Sequence, residues 1–553
     1  MNIFGDKKIS FEKRINSLYK DIRDCDKRKL LLDIILITGL FIFGFYVNRG
    51  IEIKGLYMDD LYMWSCYGEQ SFFEYVFPIG TSTRFRPAYW LLAYLEMGII
   101  GTHIDLFVPI NIIANTLVAV LIYFFAKRLS GLRFFGFAAG IMYLSSRFSY
   151  YQIGQALGLM ETEATFMALL ILFLLYLYIE GKKESSRRCY NRALLVYFLL
   201  AFVHERYISL LPMFFLAAAF MIFKHKKDMP LKERLRLLLK PVIVFIIIFI
   251  IRTLAIGTAI PAGTGGTEVT DTFSLSQALS FAVSQVFYIF GVNAGPEHLN
   301  GITWTDTPVW VKVSVKMSAL ILAVIVFEYL LSLFIRLRGD EGDRKKLFEY
   351  LKTAALFLLF IAMCIGCSSV TIRVEMRWIY VSYGAALILC GHMVGAVIET
   401  YASEKAALCK RPLRHELFIV KLLLCLFFGA YCVIMLNADS FYRSCFPKLY
   451  FWPNQLRMNS LTEETYEKYG DSIFGRDIYI LENSYEMSDF YGDTFFKTFD
   501  PKRKAEGTEV HFVDSISDIP SSKIETGNIL VIEEVPEENA YRDITDEVIN
   551  GES

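Results

Sequence analysis

Between Leu30 and Leu436 the chain returns repeatedly to long apolar runs that carry almost no charge. A bilayer's hydrocarbon core, about 30 Å thick, is crossed by a helix of ~20 apolar residues. In lipid every backbone N–H and C=O has to find a partner inside the protein, which leaves only helices or closed barrels. These runs show no barrel-like alternation of polar and apolar residues, so they are read as helices. Eleven spans are expected, at approximately 31–47, 106–126, 133–149, 160–179, 192–204, 206–223, 240–256, 309–335, 347–369, 377–398 and 416–436. Composition agrees: 54% of the residues are hydrophobic and 21% charged, too apolar for a soluble enzyme of 553 residues.

The 57 basic and 57 acidic side chains cancel, but they are segregated along the chain. Lys and Arg in short loops mark the cytoplasmic side of a membrane protein. They gather in the N-terminal tail (Lys7 to Lys29), between spans two and three (Lys127, Arg128, Arg133) and between four and five (Lys182 to Arg188). Further clusters follow span six (Lys224 to Arg236), span eight (Arg336 to Lys346) and span ten (Lys405 to Arg414). All of them fall on one side if the N-terminus is cytoplasmic and all eleven spans are real. A multi-pass protein of the plasma membrane is expected, with its C-terminus outside. Residues 1–30 are polar and basic, and the first run lacks a small-residue cleavage site, so it reads as a retained anchor.

This topology divides the chain into a cytoplasmic tail (1–30), a membrane domain (31–436) and an external accessory domain (437–553). The last has short β-prone runs at Tyr479–Leu481, Val510–Val513 and Ile529–Ile532, suiting a small α/β unit. Two long external loops stand out. Residues 48–105 contain Ala88–Ile100, too short to span and suited to a helix on the membrane surface. Residues 257–308 open with Pro261–Thr267 and continue through the apolar Ala278–Gly291. Long ordered loops on one face are usually functional. The fold class is therefore an all-α polytopic membrane protein with a small C-terminal α/β domain.

The external face collects ionisable residues. Asp59-Asp60 either caps the surface helix that begins near Leu61 or supplies a general base with a neighbouring carboxylate to orient an acceptor or a divalent metal. Tyr57, Tyr62 and Trp64 beside it suit either a sugar-stacking wall or interfacial anchoring. Arg84 and Arg86 either snorkel or hold a phosphate through the planar guanidinium fork. Glu161 and Glu163 begin the fourth span, His204-Glu205-Arg206-Tyr207 occupies the turn between the fifth and sixth, and Arg373, Glu375 and Arg377 precede the tenth. Ionisable groups at membrane depth cost about 2.5–3.5 kcal/mol each on insertion scales and so tend to be paired or functional. Cys364-Ile-Gly-Cys367 has CxxC spacing without a second pair and reads as packing.

The pattern resembles the GT-C glycosyltransferases, polytopic enzymes that use polyprenyl-phosphate sugars and include protein O-mannosyltransferases and lipid A aminoarabinose transferases. The resemblance covers residues 31–436. It rests on the early acidic pair Asp59-Asp60 in a long first external loop and on the turn His204-Glu205-Arg206-Tyr207-Ile208-Ser209-Leu210-Leu211-Pro212. It also rests on Arg377-Trp378-Ile379-Tyr380, where Trp378 stands in place of the family's tyrosine. The resemblance implies Asp59 and Asp60 as catalytic, Arg84, Arg86, Arg206, Arg373 and Arg377 as donor-phosphate ligands, and Glu161, Glu163, His204, Glu205 and Glu375 as polar cavity residues. It implies a glycosyltransferase with a polyprenyl-phosphate sugar donor in the bilayer and an extracytoplasmic glycan, lipid or protein acceptor, and no nucleic acid partner. No cofactor is otherwise expected. No Gly-rich strand-to-helix turn for a nucleotide sugar is present. The competing readings are a lipid or polysaccharide transporter or flippase, an envelope polysaccharide polymerase, and a structural or scaffold role centred on the C-terminal domain.

Overall fold

The computed structural model describes residues 27–53, 55–56, 59–80, 84–101, 103–181, 183–225, 229–258, 273–292, 302–371, 373–408, 414–445, 452–481, 508–535 and 540–551. Tyr57, the stretch Pro261–Thr267 and the basic tail before Lys27 lie outside them.

The first helix, α1 (Lys27–Val47), is followed in the long first loop by α2 (Asp59–Glu69), α3 (Phe72–Val76) and α4 (Pro87–Ile100). The membrane bundle continues with α5 (Phe107–Ser130), α6 (Arg133–Ser145), the short α7 (Tyr150–Gly154), α8 (Gly158–Glu180) and α9 (Lys183–Leu200). A 3₁₀ turn, Glu205–Leu210, leads into α10 (Leu211–Lys224), then α11 (Leu231–Ile256) and the short apolar α12 (Leu275–Ile289). Three long helices and a fourth complete it: α13 (Val309–Arg338), α14 (Glu341–Ser369), α15 (Met376–Leu408) and α16 (Arg414–Cys445).

Each expected span coincides with one of these helices. Nine helical segments among the described residues are long and apolar enough to cross a bilayer. The other two differ for visible reasons. Helix α6 has 13 residues, too few to cross unaided at 1.5 Å per residue, and α9 opens with the charged run Lys183-Glu-Ser-Ser-Arg-Arg188. The surface helix expected over Ala88–Ile100 is α4, and Ala278–Gly291 falls largely on α12.

Helix α5 runs through the centre, packed against α1, α6, α8 and α15. Small residues let helix backbones approach closely where lipid supplies no hydrophobic drive. A Cβ added at Gly136 of α6 would stand 2.5 Å from the Tyr123 carbonyl of α5, and one at Gly395 of α15 would stand 2.1 Å from the Leu129 carbonyl. The outward faces are apolar: Ile243 and Leu254 of α11, Leu320 and Phe327 of α13 and Phe418 and Leu426 of α16 are exposed. One end of the bundle is tied by ion pairs among the basic loops. Asp33 accepts from Lys127 Nζ (2.6 Å) and Arg133 Nε (2.8 Å), Lys346 bonds Glu399 (2.6 Å), and Arg336 bonds Asp343 (3.0 Å).

Helix α16 continues through residue 437 to Cys445. Beyond it come α17 (Trp452–Tyr469), β1 (Asp477–Leu481), β2 (Glu509–Val513), α18 (Ser521–Thr526), β3 (Ile529–Val535), β4 (Ala540–Asp543) and α19 (Thr545–Asn550). The sheet order is β2-β1-β3-β4, with β1 parallel to both neighbours and β4 antiparallel to β3. The three apolar runs became β1, β2 and β3. The short, polar β4 gave no such signal and forms because β3 offers it an edge. Strand alternation sends Ile478, Ile480, Leu530 and Ile532 toward Leu461 and Ile473, and Tyr479, Leu481, Ile529 and Val531 toward Ile519, Ile544 and Val548.

The α5–α15 crossing depends on a bare backbone at Gly395. Gly395→Ala is expected to cost about 1–3 kcal/mol by overpacking, read as a lower unfolding temperature in detergent. An unchanged temperature would mean that the two helices do not meet there.

Candidate functional site

The end of the bundle away from the basic ion pairs holds a cavity of about 470 Å³. It lies where α8, the 3₁₀ turn, α14 and α15 end or begin beneath α2 and the segment leading to α4. Asp59, Arg84, Arg86, Glu161, His204, Glu205, Arg206 and Arg377 all line it. The tertiary structure thus gathers into one chamber residues that lie in five separate stretches of chain.

Local sequence explains several placements. Pro87 starts α4, where its missing N–H costs nothing, and Arg86 sits at the N-cap. Pro212 at the start of α10 follows the 3₁₀ turn that carries Glu205 and Arg206. The segment before α15 holds Glu375 between Arg373 and Arg377.

The charges are cross-tied. Arg86 grips Glu205 with two parallel bonds, Nε to Oε2 at 2.8 Å and Nη2 to Oε1 at 2.7 Å, and both side chains are buried. Arg206 Nη2 bonds Glu161, and also donates to the Tyr207 hydroxyl at 3.2 Å. Arg377 pairs with Glu375 and lies 3.8 Å from Glu161 Oε1. Arg373 Nε donates to Glu375 at 2.9 Å. Glu161, at the first turn of α8 and 1% exposed, therefore stands between two arginines from opposite walls. Nη1 of Arg206 is buried and has no hydrogen-bond partner among the described residues.

His204 completes this wall. Its Nδ1 accepts the Arg206 backbone N–H at 3.5 Å, and its Nε2 lies 3.7 Å from Glu161 Oε1. With Nδ1 taken by that N–H, Nε2 is the ring nitrogen that faces Glu161.

The acidic pair divides. Asp59 is exposed and lines the cavity. Asp60 is fully buried and turned away, accepting the backbone N–H groups of Ala156 (3.1 Å) and Leu157 (2.9 Å). It locks the start of α2 to the turn between α7 and α8, so the neighbouring Asp59 is held at the chamber. Burial raises its pKa to about 7, against the pull of those two bonds, with the charge of Asp59 adding to the rise.

Other expected residues fall outside the lining. Glu375 and Arg373 stand behind Arg377. Glu163 sits two residues beyond Glu161 on α8, with Oε2 buried and without a hydrogen-bond partner among the described residues. The expected aromatic wall is corrected: Trp64 is buried and Tyr62 exposed, and neither lines the cavity. Their helix α2 turns them away, and the aromatic surfaces come from Tyr151 and Trp378. The Arg377 guanidinium lies 3.7 Å from the centre of the Tyr151 ring, and Arg206 lies 5.6 Å from Trp378.

Sequence reasoning missed Tyr151, whose short helix α7 carries no distinguishing pattern, and Arg252 near the end of α11. Arg252 is fully buried, and none of its three guanidinium nitrogens has a hydrogen-bond partner among the described residues. Glu205 and Arg86 are the charges that act on it. A lone arginine in an apolar helix was the available signal. Cys367 lines the cavity, its Sγ donating to the Cys364 carbonyl at 3.2 Å. Among the described residues the grouping with metal-ligand spacing is elsewhere, at Asp477, Glu509 and His511 of the C-terminal sheet, where Lys523 bonds Asp477 at 2.8 Å.

No protein-family model matches the chain, and no curated protein matches it. Solved structures do resemble it. It is similar to the oligosaccharyltransferase AglB of Archaeoglobus fulgidus in complex with an inhibitory peptide and a dolichol-phosphate (11% identity, TM-score 0.47, 92% of this chain and 70% of that one). It is also similar to ArnT from Cupriavidus metallidurans bound to undecaprenyl phosphate (11% identity, TM-score 0.44, 91% and 93%). The chemistry of the chamber is read from its own residues.

Two outcomes follow from the site's electrostatics. Glu161→Ala leaves Arg206 and Arg377 buried without their shared carboxylate, and breaking such pairs costs about 3–5 kcal/mol; thermal unfolding in detergent measures it. Glu96 of α4 is buried, and neither of its carboxyl oxygens has a hydrogen-bond partner among the described residues. Burial, then the charge of Asp60, raises its pKa from 4.5 to about 8. The folded chain keeps a proton the unfolded chain has lost, so this group's stabilising effect is full below 4.5 and lost as pH climbs to about 8. Glu96→Gln should flatten that slope, which is at most about 1.4 kcal/mol per pH unit, in unfolding scans at pH 5 and pH 8.

Proposed function

We propose that the protein is a membrane glycosyltransferase that moves a sugar from a polyprenyl-phosphate-linked donor to a hydroxyl-bearing acceptor on the extracytoplasmic side. The observation that carries this reading is the meeting of Arg84, Arg86, Arg206 and Arg377 with the exposed carboxylate of Asp59 in one chamber beside the apolar bundle. A phosphate is the ligand that a planar, always-charged guanidinium suits. Most of these arginines are already held by carboxylates, so their orientation is set before a ligand arrives, as electrostatic catalysis requires.

In this reading Asp59 takes the proton from the acceptor hydroxyl. The acceptor oxygen bonds to the anomeric carbon from the face opposite the lipid phosphate, and the carbon–oxygen bond to phosphate breaks with its electron pair leaving on the phosphate. The arginines stabilise that growing negative charge. The product is inverted at the anomeric carbon. Asp60 is a positioning residue: it fixes the start of α2 through Ala156 and Leu157. A phosphate leaves with little need of a proton, so a second carboxylic acid on the leaving side, as glycoside hydrolases use, is not called for.

The same reading orients the chain in the plasma membrane. The basic ion-paired end faces the cytoplasm, and the chamber and residues 437–553 face outward, the latter as an accessory domain. The acceptor is an envelope glycan, lipid or protein.

The test is transfer of labelled sugar from a panel of polyprenyl-phosphate donors by the purified chain and by Asp59→Asn. Wild type should transfer, and the variant should lose roughly 10²-fold or more, as removal of a general base does. Retained transfer by Asp59→Asn would remove Asp59 from the mechanism. No transfer from any donor by a folded wild type would favour a transporter.

A further inference from the structure

Helix α14 forms one wall of the chamber through Met363, Gly366, Cys367 and Ser368, with Val370 just beyond its end. Glycine weakens a helix relative to alanine, so a helical glycine invites a reason. Two reasons serve for others in this bundle. Gly131 and Gly257, at helix ends, have positive φ angles of 71° and 76°. Gly136, Gly140, Gly391 and Gly395 lie against a neighbouring helix, where a Cβ would meet it at 3.2 Å or less. Neither applies to Gly366. It is helical, its φ is not in the left-handed region, and a Cβ added there meets nothing within 4 Å among the described residues. It is also exposed, although it stands in the apolar part of a membrane helix and on the wall of the cavity. The space that Gly366 leaves open is therefore not filled by any of the described residues. About one turn to either side of it stand the apolar Met363 and Val370, with the polar Ser368 and Thr371 also on that wall, so along the helix the space is flanked by hydrocarbon.

We propose that Gly366 marks where the prenyl chain of the lipid-linked substrate crosses α14 on its way from the chamber to the bilayer, and that its missing side chain is a specificity determinant for that chain. The inference rests on the lipid-linked donor proposed above. An isoprenoid carries a methyl branch on every unit and cannot thin itself to pass a bulky side chain, so the helix must be bare where it passes. The head group is held elsewhere, by the arginines, so filling the space should separate the two parts of recognition.

The experiment measures binding of long-chain polyprenyl phosphate and, separately, of inorganic phosphate to the purified full chain in detergent. It uses wild type, Gly366→Ala, Gly366→Leu and Gly366→Phe, with unfolding temperature as the check on folding. All variants should stay folded, because the added atoms enter open space. Gly366→Phe should lose at least roughly tenfold in affinity for polyprenyl phosphate, the discrimination even a methylene's misfit produces in an apolar pocket, with Gly366→Leu between it and Gly366→Ala. Inorganic phosphate binding should stay within about twofold of wild type, since its guanidinium ligands are untouched. Unchanged polyprenyl phosphate binding in the Leu and Phe variants would overturn the assignment, and so would an equal loss of both ligands. A wild type that binds no polyprenyl phosphate would defeat the donor reading itself, and that failure shows before any variant is made.

Discussion

The carboxylate of Glu161 is the point on which the chamber depends. It lies in the first turn of α8, is almost wholly buried, and faces Arg206 from the turn before α10, Arg377 from the start of α15, and His204. Two guanidinium groups this close and this dry repel strongly, and without an anion between them their helices would be pushed apart. Glu205 does the same for Arg86, and Glu375 for the outer pair Arg373 and Arg377. The result is a cavity whose positive groups are fixed in place by their own counter-charges.

That arrangement explains how a bundle that is apolar over most of its surface tolerates so many charges at one end. Desolvating an arginine and a carboxylate is costly, and mutual attraction offsets the cost only when geometry is good. The forked bonds between Arg86 and Glu205 meet that condition. Stability alone gives no reason for such a set, because well-packed hydrophobic residues often do as well or better. A chamber built to receive a charged group does. Asp60 serves the same end from outside the cluster, spending its carboxylate on two backbone N–H groups so that Asp59 stays at the rim.

Much of the fold was legible in the chain. The apolar runs mark the helices because lipid leaves the backbone no other way to satisfy itself, and each expected span met a helix. The short runs at Tyr479, Val510 and Ile529 became strands because their alternation serves a sheet buried on both faces. The ionisable residues of the chamber could be named because charge at membrane depth is costly enough to need a purpose. Less legible was the division of labour among them. Asp59 and Asp60 are identical side chains one residue apart, and only the helix start at Asp59 turns one to the cavity and the other to the turn at Ala156. Tyr151 and Trp378, rather than Tyr62 and Trp64, supply the aromatic surfaces, because the rotation of α2 was not readable from its residues.

By itself the sequence determined that this is a multi-pass helical membrane protein, where its helices lie, and which charges share one face, since hydropathy and helix length are local properties of the chain. The tertiary structure alone decided which of those charges touch. Glu161 meets Arg377 and Arg86 meets Glu205 only after the helices pack, and pairing across long separations leaves no trace in neighbouring residues. It also decided what Gly366 means. In the chain it is one more glycine in an apolar run, and only the packed bundle shows that no neighbour among the described residues needs it to be small.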